Sequence, residues 1–108
     1  MSESDTSKAW TFLTNHAHVL VCITHDPGIR VREIADRVGI TERAAQRIVA
    51  DLAGEGYITR TRVGRRTTYT INGRLPLRHP LEENREIGAL LEALRPRANP
   101  RLKKSRPS

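Results

Sequence analysis

Residues 31–72 read VREIADRVGITERAAQRIVADLAGEGYITRTRVGRRTTYTIN. Ile34, Ala35 and Val38 fall at the i, i+1, i+4 spacing of a buried helical stripe, which predicts a short helix from about Arg32 to Val38. Gly39 follows, where a tight helix–helix turn needs the left-handed backbone that glycine adopts without penalty. Ile40 packs beneath the turn. Thr41 is a good N-cap for the next helix, and Glu42 in its first turn suits the helix dipole. In that helix Ala45, Ile48, Val49 and Leu52 make the inward face, while Arg43, Gln46, Arg47 and Ala50 face outward. Gly54 and Gly56 end it. Tyr57 to Val63 and Thr67 to Ile71 alternate polar and apolar positions, and Gly64-Arg65-Arg66 between them reads as the loop of a β-hairpin.

The flanking sequence completes the pattern. Thr14 or Asn15 can cap a helix running to about Thr24, apolar on nearly every side through Ala17, Val19, Leu20, Val21, Cys22 and Ile23. A helix with so little polar face expects burial on more than one side, part of it against a second subunit. Trp10 anchors its start. His25-Asp26-Pro27-Gly28 is a breaker cluster, and Ile29-Arg30 is read as a very short strand. Beyond the hairpin, residues 73–80 are irregular. A last helix is expected over Leu81–Leu94, with Ile87, Leu90, Leu91 and Leu94 on one face and Glu82, Glu83 and Glu86 in its first half. The chain thus divides into a polar lead (1–9), one folded domain (10–94) and a basic, apolar-poor tail (95–108) expected to be disordered.

Charge follows the same division. The net charge of +7 is unevenly placed. Residues 28–78 hold eleven arginines against five acids, whereas residues 79–94 hold one arginine against four glutamates. The tail adds six basic residues and no acid. A basic excess concentrated on one unit is the footprint of a polyanionic partner. No apolar run approaches a membrane span, no secretory signal opens the chain, and a lone cysteine permits no internal disulfide; a cytoplasmic location is the expectation.

A helix that reads DNA needs an inward face fixing its angle, a short turn to a supporting helix, and polar side chains free to enter the major groove. The segment from Ala35 through Gly39 to Ile48 meets the first two conditions, and Arg43, Gln46 and Arg47 meet the third. With the arginine-tipped hairpin attached, residues 10–94 resemble a small winged helix-turn-helix regulator of the broad MarR/ArsR-like class, most clearly in QRIVADLAGEGYITRTRVGRRTTYTIN. The resemblance implies a mainly α fold with a small β-hairpin, ordered α-(β)-α-α-β-β-α. It also implies a homodimer on a roughly palindromic operator, its two reading helices about 34 Å apart.

Carried over by position, Thr41, Glu42, Arg43, Gln46 and Arg47 lie where reading-helix contacts fall. Arg43 and Arg47 can each donate two hydrogen bonds to guanine, and Gln46 can pair with adenine. Thr41 suits a phosphate; Glu42 can accept from cytosine but fits capping better. Arg65 and Arg66 at the wing tip suit a narrow minor groove or its phosphates, with Arg30, Arg60 and Arg62 in support. Val19, Ile23, Ile87, Leu90, Leu91 and Leu94 are candidates for the dimer interface, their alternative being the chain's own core. The basic tail either adds phosphate contacts or touches nothing.

Function is therefore read as that of a sequence-specific regulator of transcription bound to double-stranded DNA, in the sense of a dimeric repressor. The alternatives are a winged helix used for protein–protein assembly and a sequence-indifferent nucleic-acid binder. The first would call for an acidic or apolar reading face. An RNA or single-strand binder would call for aromatics on that face, and none lies there. His16, His18, His25 and His79 lack partners at ligand spacing, so neither metal nor cofactor is expected. The paired cysteines of metal-sensing ArsR-like proteins are absent. No phosphate loop, nucleophile elbow or catalytic carboxylate pair appears, so the chain is not read as an enzyme. No effector is assigned.

Overall fold

Threonine starts two of the four helices among the described residues. In the computed structural model, which describes residues 10–95, α1 (Asn15–His25) begins where extended Thr14 accepts from the Ala17 amide, and α3 (Glu42–Gly54) where Thr41 does the same for Ala44. Each hydroxyl satisfies one of the free first-turn donors. Between them α2 (Val31–Val38) starts with the Glu33 carboxylate accepting from the Arg30 amide at 3.1 Å and stops at Gly39, whose φ of 88° is left-handed. The amides of Gly39 and Ile40 both return to the Ala35 carbonyl, at 2.8 and 3.0 Å, so the turn closes without orphan donors.

The hairpin pairs β1 (Ile58–Val63) with β2 (Arg66–Ile71), antiparallel, in a register from Ile58 opposite Ile71 to Val63 opposite Arg66. Its connection is shorter than the three-residue loop expected. Only Gly64 and Arg65 lie between the strands, and Arg66 is already paired. Gly64 carries a positive φ of 64° and Arg65 does not, which is the combination of a two-residue hairpin turn with glycine first. The strand expected at Ile29-Arg30 does not form. What remains of it is a single bond from the Tyr69 amide to the Pro27 carbonyl, 2.9 Å, because Arg30 is already the cap of α2.

The core lies where the three helices of the 15–54 segment meet the base of the hairpin. Val19, Ile23, Ile29, Ile34 and Val49 are its largest fully buried side chains, joined by Ala45, Ile58, Tyr69, Ile87 and Leu91. Ala35 and Ala45 are small where α2 and α3 pack closely, and both are buried. Tyr57 is buried as well, and its hydroxyl donates to the Pro76 carbonyl, which ties the segment after the wing to the end of α3.

The last helix is half the length expected. α4 spans Ile87–Ala93, and residues 79–86 form turns instead. The cause is long-range backbone pairing. Leu77 donates to Arg85 and Ile87 donates to Leu75, at 2.9 and 2.7 Å, so the stretch folds back on itself with Pro76 bridged to Glu86. Glu82 and Arg85 close local turns, and Leu81 is 83% exposed rather than on a buried stripe. Gly88 then packs on Gly73: a Cβ on Gly88 would stand 2.8 Å from the Gly73 oxygen. Trp10 also departs from the reading as an anchor, being exposed and edge-on to Phe12 with ring centroids 5.0 Å apart. The lead over 1–9 and the tail beyond Arg95 lie outside the described residues.

Candidate nucleic-acid interface

The buried stripe Ala45, Ile48, Val49 and Leu52 holds α3 against the core. With that side fixed, Glu42, Arg43, Gln46, Arg47 and Ala50 are all exposed. Arg43, Gln46 and Arg47 are spaced i, i+3, i+4, which puts them on one face of the helix. Thr41 uses one lone pair on the Ala44 amide at 3.0 Å, leaving its O–H as a free donor at the helix start. Glu42 accepts no capping bond; its place in the first turn is a dipole contribution.

Arg30, Arg60, Arg62, Arg65 and Arg66 are exposed as well. Arg60 and Arg62 share a hairpin face with Ile58 and Tyr69, since alternate strand residues point the same way. Arg60 stands opposite Tyr69. Burial pushes the Tyr69 phenol above its ordinary value, and the positive charge of Arg60 opposes that rise. Arg62 donates through Nε to the Gly64 carbonyl at 3.3 Å. Arg66 turns back toward the base of the wing, where its Nη2 lies 3.0 Å from the place a Gly28 Cβ would occupy. Arg65 alone occupies the outer corner of the turn.

Ion pairing separates these arginines from the others. Among the described residues the pairs are His16–Asp51, Arg78–Glu55 and Arg95–Glu92, at 3.0, 3.1 and 3.6 Å. None involves Arg30, Arg43, Arg47, Arg60, Arg62, Arg65 or Arg66. The basic residues of the reading helix and wing therefore carry charge with no carboxylate within 4.0 Å among the described residues. Fields from such a surface attract polyanions and release their counterions on contact.

The six apolar candidates for a subunit interface do not share one location. Val19, Ile23, Ile87 and Leu91 are 0–6% exposed inside this chain's own core. Side chains with no free surface have none to give a partner, so the core reading replaces the interface reading for these four. Leu90 is half-buried and Leu94 is 37% exposed. Within the chain α1 packs against α2, α3, β2 and α4, and α4 packs against α1.

A groove of about 860 Å³ opens at the other end of α3, between the start of α1, residues 77–82 and α4. Leu20, Leu52, Tyr57, Ile87 and Leu90 line it, and Phe12 sits at its margin, 90% exposed. His16 and Asp51 bridge α1 to α3 beside it. Sequence reasoning missed this groove. Its walls come from separate segments of the chain, with His16 and Asp51 35 residues apart, and no local spacing announces that meeting. Cys22 is buried in the core, which raises its thiol pKa above the ordinary value of 9.0 while the nearby positive charge of Arg37 opposes the rise. No cluster of three or more metal-ligating side chains occurs among the described residues, and no helix among them is long and apolar enough to cross a membrane.

The MarR family model matches residues 14–63, from the cap of α1 to the end of β1 and just under half of the chain. No curated protein matches it. The matched residues and the strand that follows them are similar to the winged helix of that family.

Proposed function

We propose, from the premise that residues 14–63 carry a MarR-like winged helix, that the chain is a sequence-specific regulator of transcription that binds double-stranded DNA as a homodimer and acts as a repressor. The single observation that supports this best is the outward face of α3. Arg43, Gln46 and Arg47 are exposed together, on one face, and neither arginine has a carboxylate partner among the described residues. Side chains held in this way match the donor and acceptor pattern of guanine and adenine in the major groove. Thr41 binds phosphate at the helix start, and Arg65 of the wing reaches the adjacent minor groove. Arg30 and Arg60 add phosphate contacts from the flanks. Repression follows from occupancy of an operator that the transcription machinery also needs.

Two copies meet through the apolar surface that the core leaves open. Phe12 and Leu81 are 90% and 83% exposed, Leu94 is 37% exposed, and Leu90 is half-buried. Phe12 and Leu90 border the same groove, and Leu81 lies between two residues that line it, His79 and Glu82. Large apolar side chains grouped in this way are costly to leave in water.

Selection of bound duplexes from a random pool tests the reading. The expected result is enrichment of a two-fold symmetric site with half-sites one helical turn apart, and nanomolar binding of that site by the full chain. Micromolar binding with no enriched sequence, lost at moderate salt, would overturn it in favour of sequence-indifferent binding.

A further inference from the structure

We propose that Arg62 and Arg66 are positioning residues that aim Arg65, so that the wing touches duplex DNA through one arginine and not three. The proposal rests on the DNA-binding reading and deepens it.

In a two-residue hairpin connection the central peptide joins the two loop residues, here Gly64 and Arg65. Its carbonyl belongs to Gly64. With glycine at the first loop position, that peptide can face either way, and the alternative turn requires a positive φ at both loop residues. For Arg65 a positive φ would be strained; among the described residues only glycines have one. Arg62 Nε donates to the Gly64 carbonyl at 3.3 Å, directly holding the peptide that precedes Arg65. The orientation of that peptide sets the direction of the Arg65 side chain.

Arg66 works at the other side of the turn. It is the residue that closes the pairing with Val63. Its guanidinium lies over Gly28, whose amide donates to Asp26 Oδ1 at 3.2 Å. The missing side chain at Gly28 is what makes room. Among the described residues one backbone bond, Tyr69 to Pro27, joins the wing to this turn, and the Arg66 guanidinium adds packing over the same turn. Arg62 is thus hydrogen-bonded within the wing, and Arg66 lies folded over Gly28. Arg65, exposed at the corner, makes no ion pair or side-chain hydrogen bond with the described residues.

The test measures the affinity of the full chain for a selected duplex over a series of salt concentrations, alongside thermal melting of each variant. Arg65→Ala is expected to weaken binding about tenfold and to reduce the slope of log affinity against log salt by about 0.9, one phosphate contact. Arg62→Ala and Arg66→Ala are expected to weaken binding several-fold as single changes, yet to add less than about twofold on top of Arg65→Ala, since residues acting through a third are not additive with it. Arg62→Gln decides the matter without relying on a truncation. Glutamine carries its amide nitrogen the same number of bonds from Cα as the arginine Nε, so it keeps the donor and discards the charge. It should bind within about twofold of wild type, with a slope reduced by well under the ~0.9 expected of Arg65→Ala. A slope reduced in Arg62→Gln as much as in Arg65→Ala, or fully additive losses in the double variants, would overturn the proposal. A wild-type chain that fails to bind any duplex would instead sink the DNA-binding reading itself.

Discussion

Gly88 and Gly73 touch backbone to backbone, and a side chain at either would enter the other's main chain. A Cβ on Gly88 meets the Gly73 oxygen at 2.8 Å, and Gly88 also donates its amide to that same oxygen. Gly88→Ala should therefore cost about 1–3 kcal/mol, the range for forced overpacking, read as a lower denaturation midpoint. Tyr57→Phe removes the one side-chain bond to Pro76 among the described residues and should cost about 1 kcal/mol without altering DNA affinity. Cys22 and Tyr69 predict the response to alkali. Both groups are buried and both titrate above their ordinary values of 9.0 and 10.0, so the neutral forms are favoured by folding. Their contribution is complete below pH 9.0 and is lost as pH rises through the folded-state values, because the unfolded chain then gives up its protons first. The melting temperature should fall above that pH, and Cys22→Ala should remove part of the fall. A flat profile up to the point of gross unfolding would contradict this.

At the scale of elements, the start of the chain's fold and its reading helix were legible because their signals are local. Thr14 and Thr41 mark helix starts by their own side chains, and Gly39 marks a turn by its own φ. The outward face of α3 followed from the spacing of Ala45, Ile48, Val49 and Leu52. The last helix was not legible beyond its second half. Leu81 mimics the apolar stripe of Ile87, Leu90, Leu91 and Leu94, and Glu82, Glu83 and Glu86 mimic a favourable first turn. What excludes a helix there is pairing between Leu77 and Arg85 and between Leu75 and Ile87, which periodicity cannot register. The division of labour among the wing arginines was hidden for a related reason, since it depends on which way each side chain folds back. Charge reversal on α3 tests the element as a unit. Arg43→Glu with Arg47→Glu is expected to reduce duplex binding more than a hundredfold, two lost base contacts at about 1–3 kcal/mol each plus new repulsion, with melting unchanged because both side chains are exposed. Normal binding by this variant would show that another element reads the DNA.

For the whole molecule, the core confines the proposed dimer contact to the surface that remains. α1 is apolar on nearly every side, yet Val19, Leu20, Cys22 and Ile23 are consumed within the chain. Phe12, Leu81 and Leu94 are not. Phe12→Ser with Leu81→Ser should shift sedimentation from dimer toward monomer and leave the melting temperature of the monomer almost unchanged, since neither residue supports the core. Loss of cooperative operator binding should accompany the shift. A variant that sediments as the wild type would place the subunit contact elsewhere.

The wing has a further consequence, for how the protein behaves in a crowded solution. Along β1 the outer row of backbone groups bonds to nothing else among the described residues, and Val63 at its end is 66% exposed. A short, exposed ribbon of this kind invites strand addition by a neighbouring molecule, and charged side chains on such an edge are the usual defence. Arg60 and Arg62 stand on that strand. Evolutionary loss of DNA contacts by replacing wing arginines with apolar residues would thus carry a second penalty, intermolecular β-pairing and precipitation.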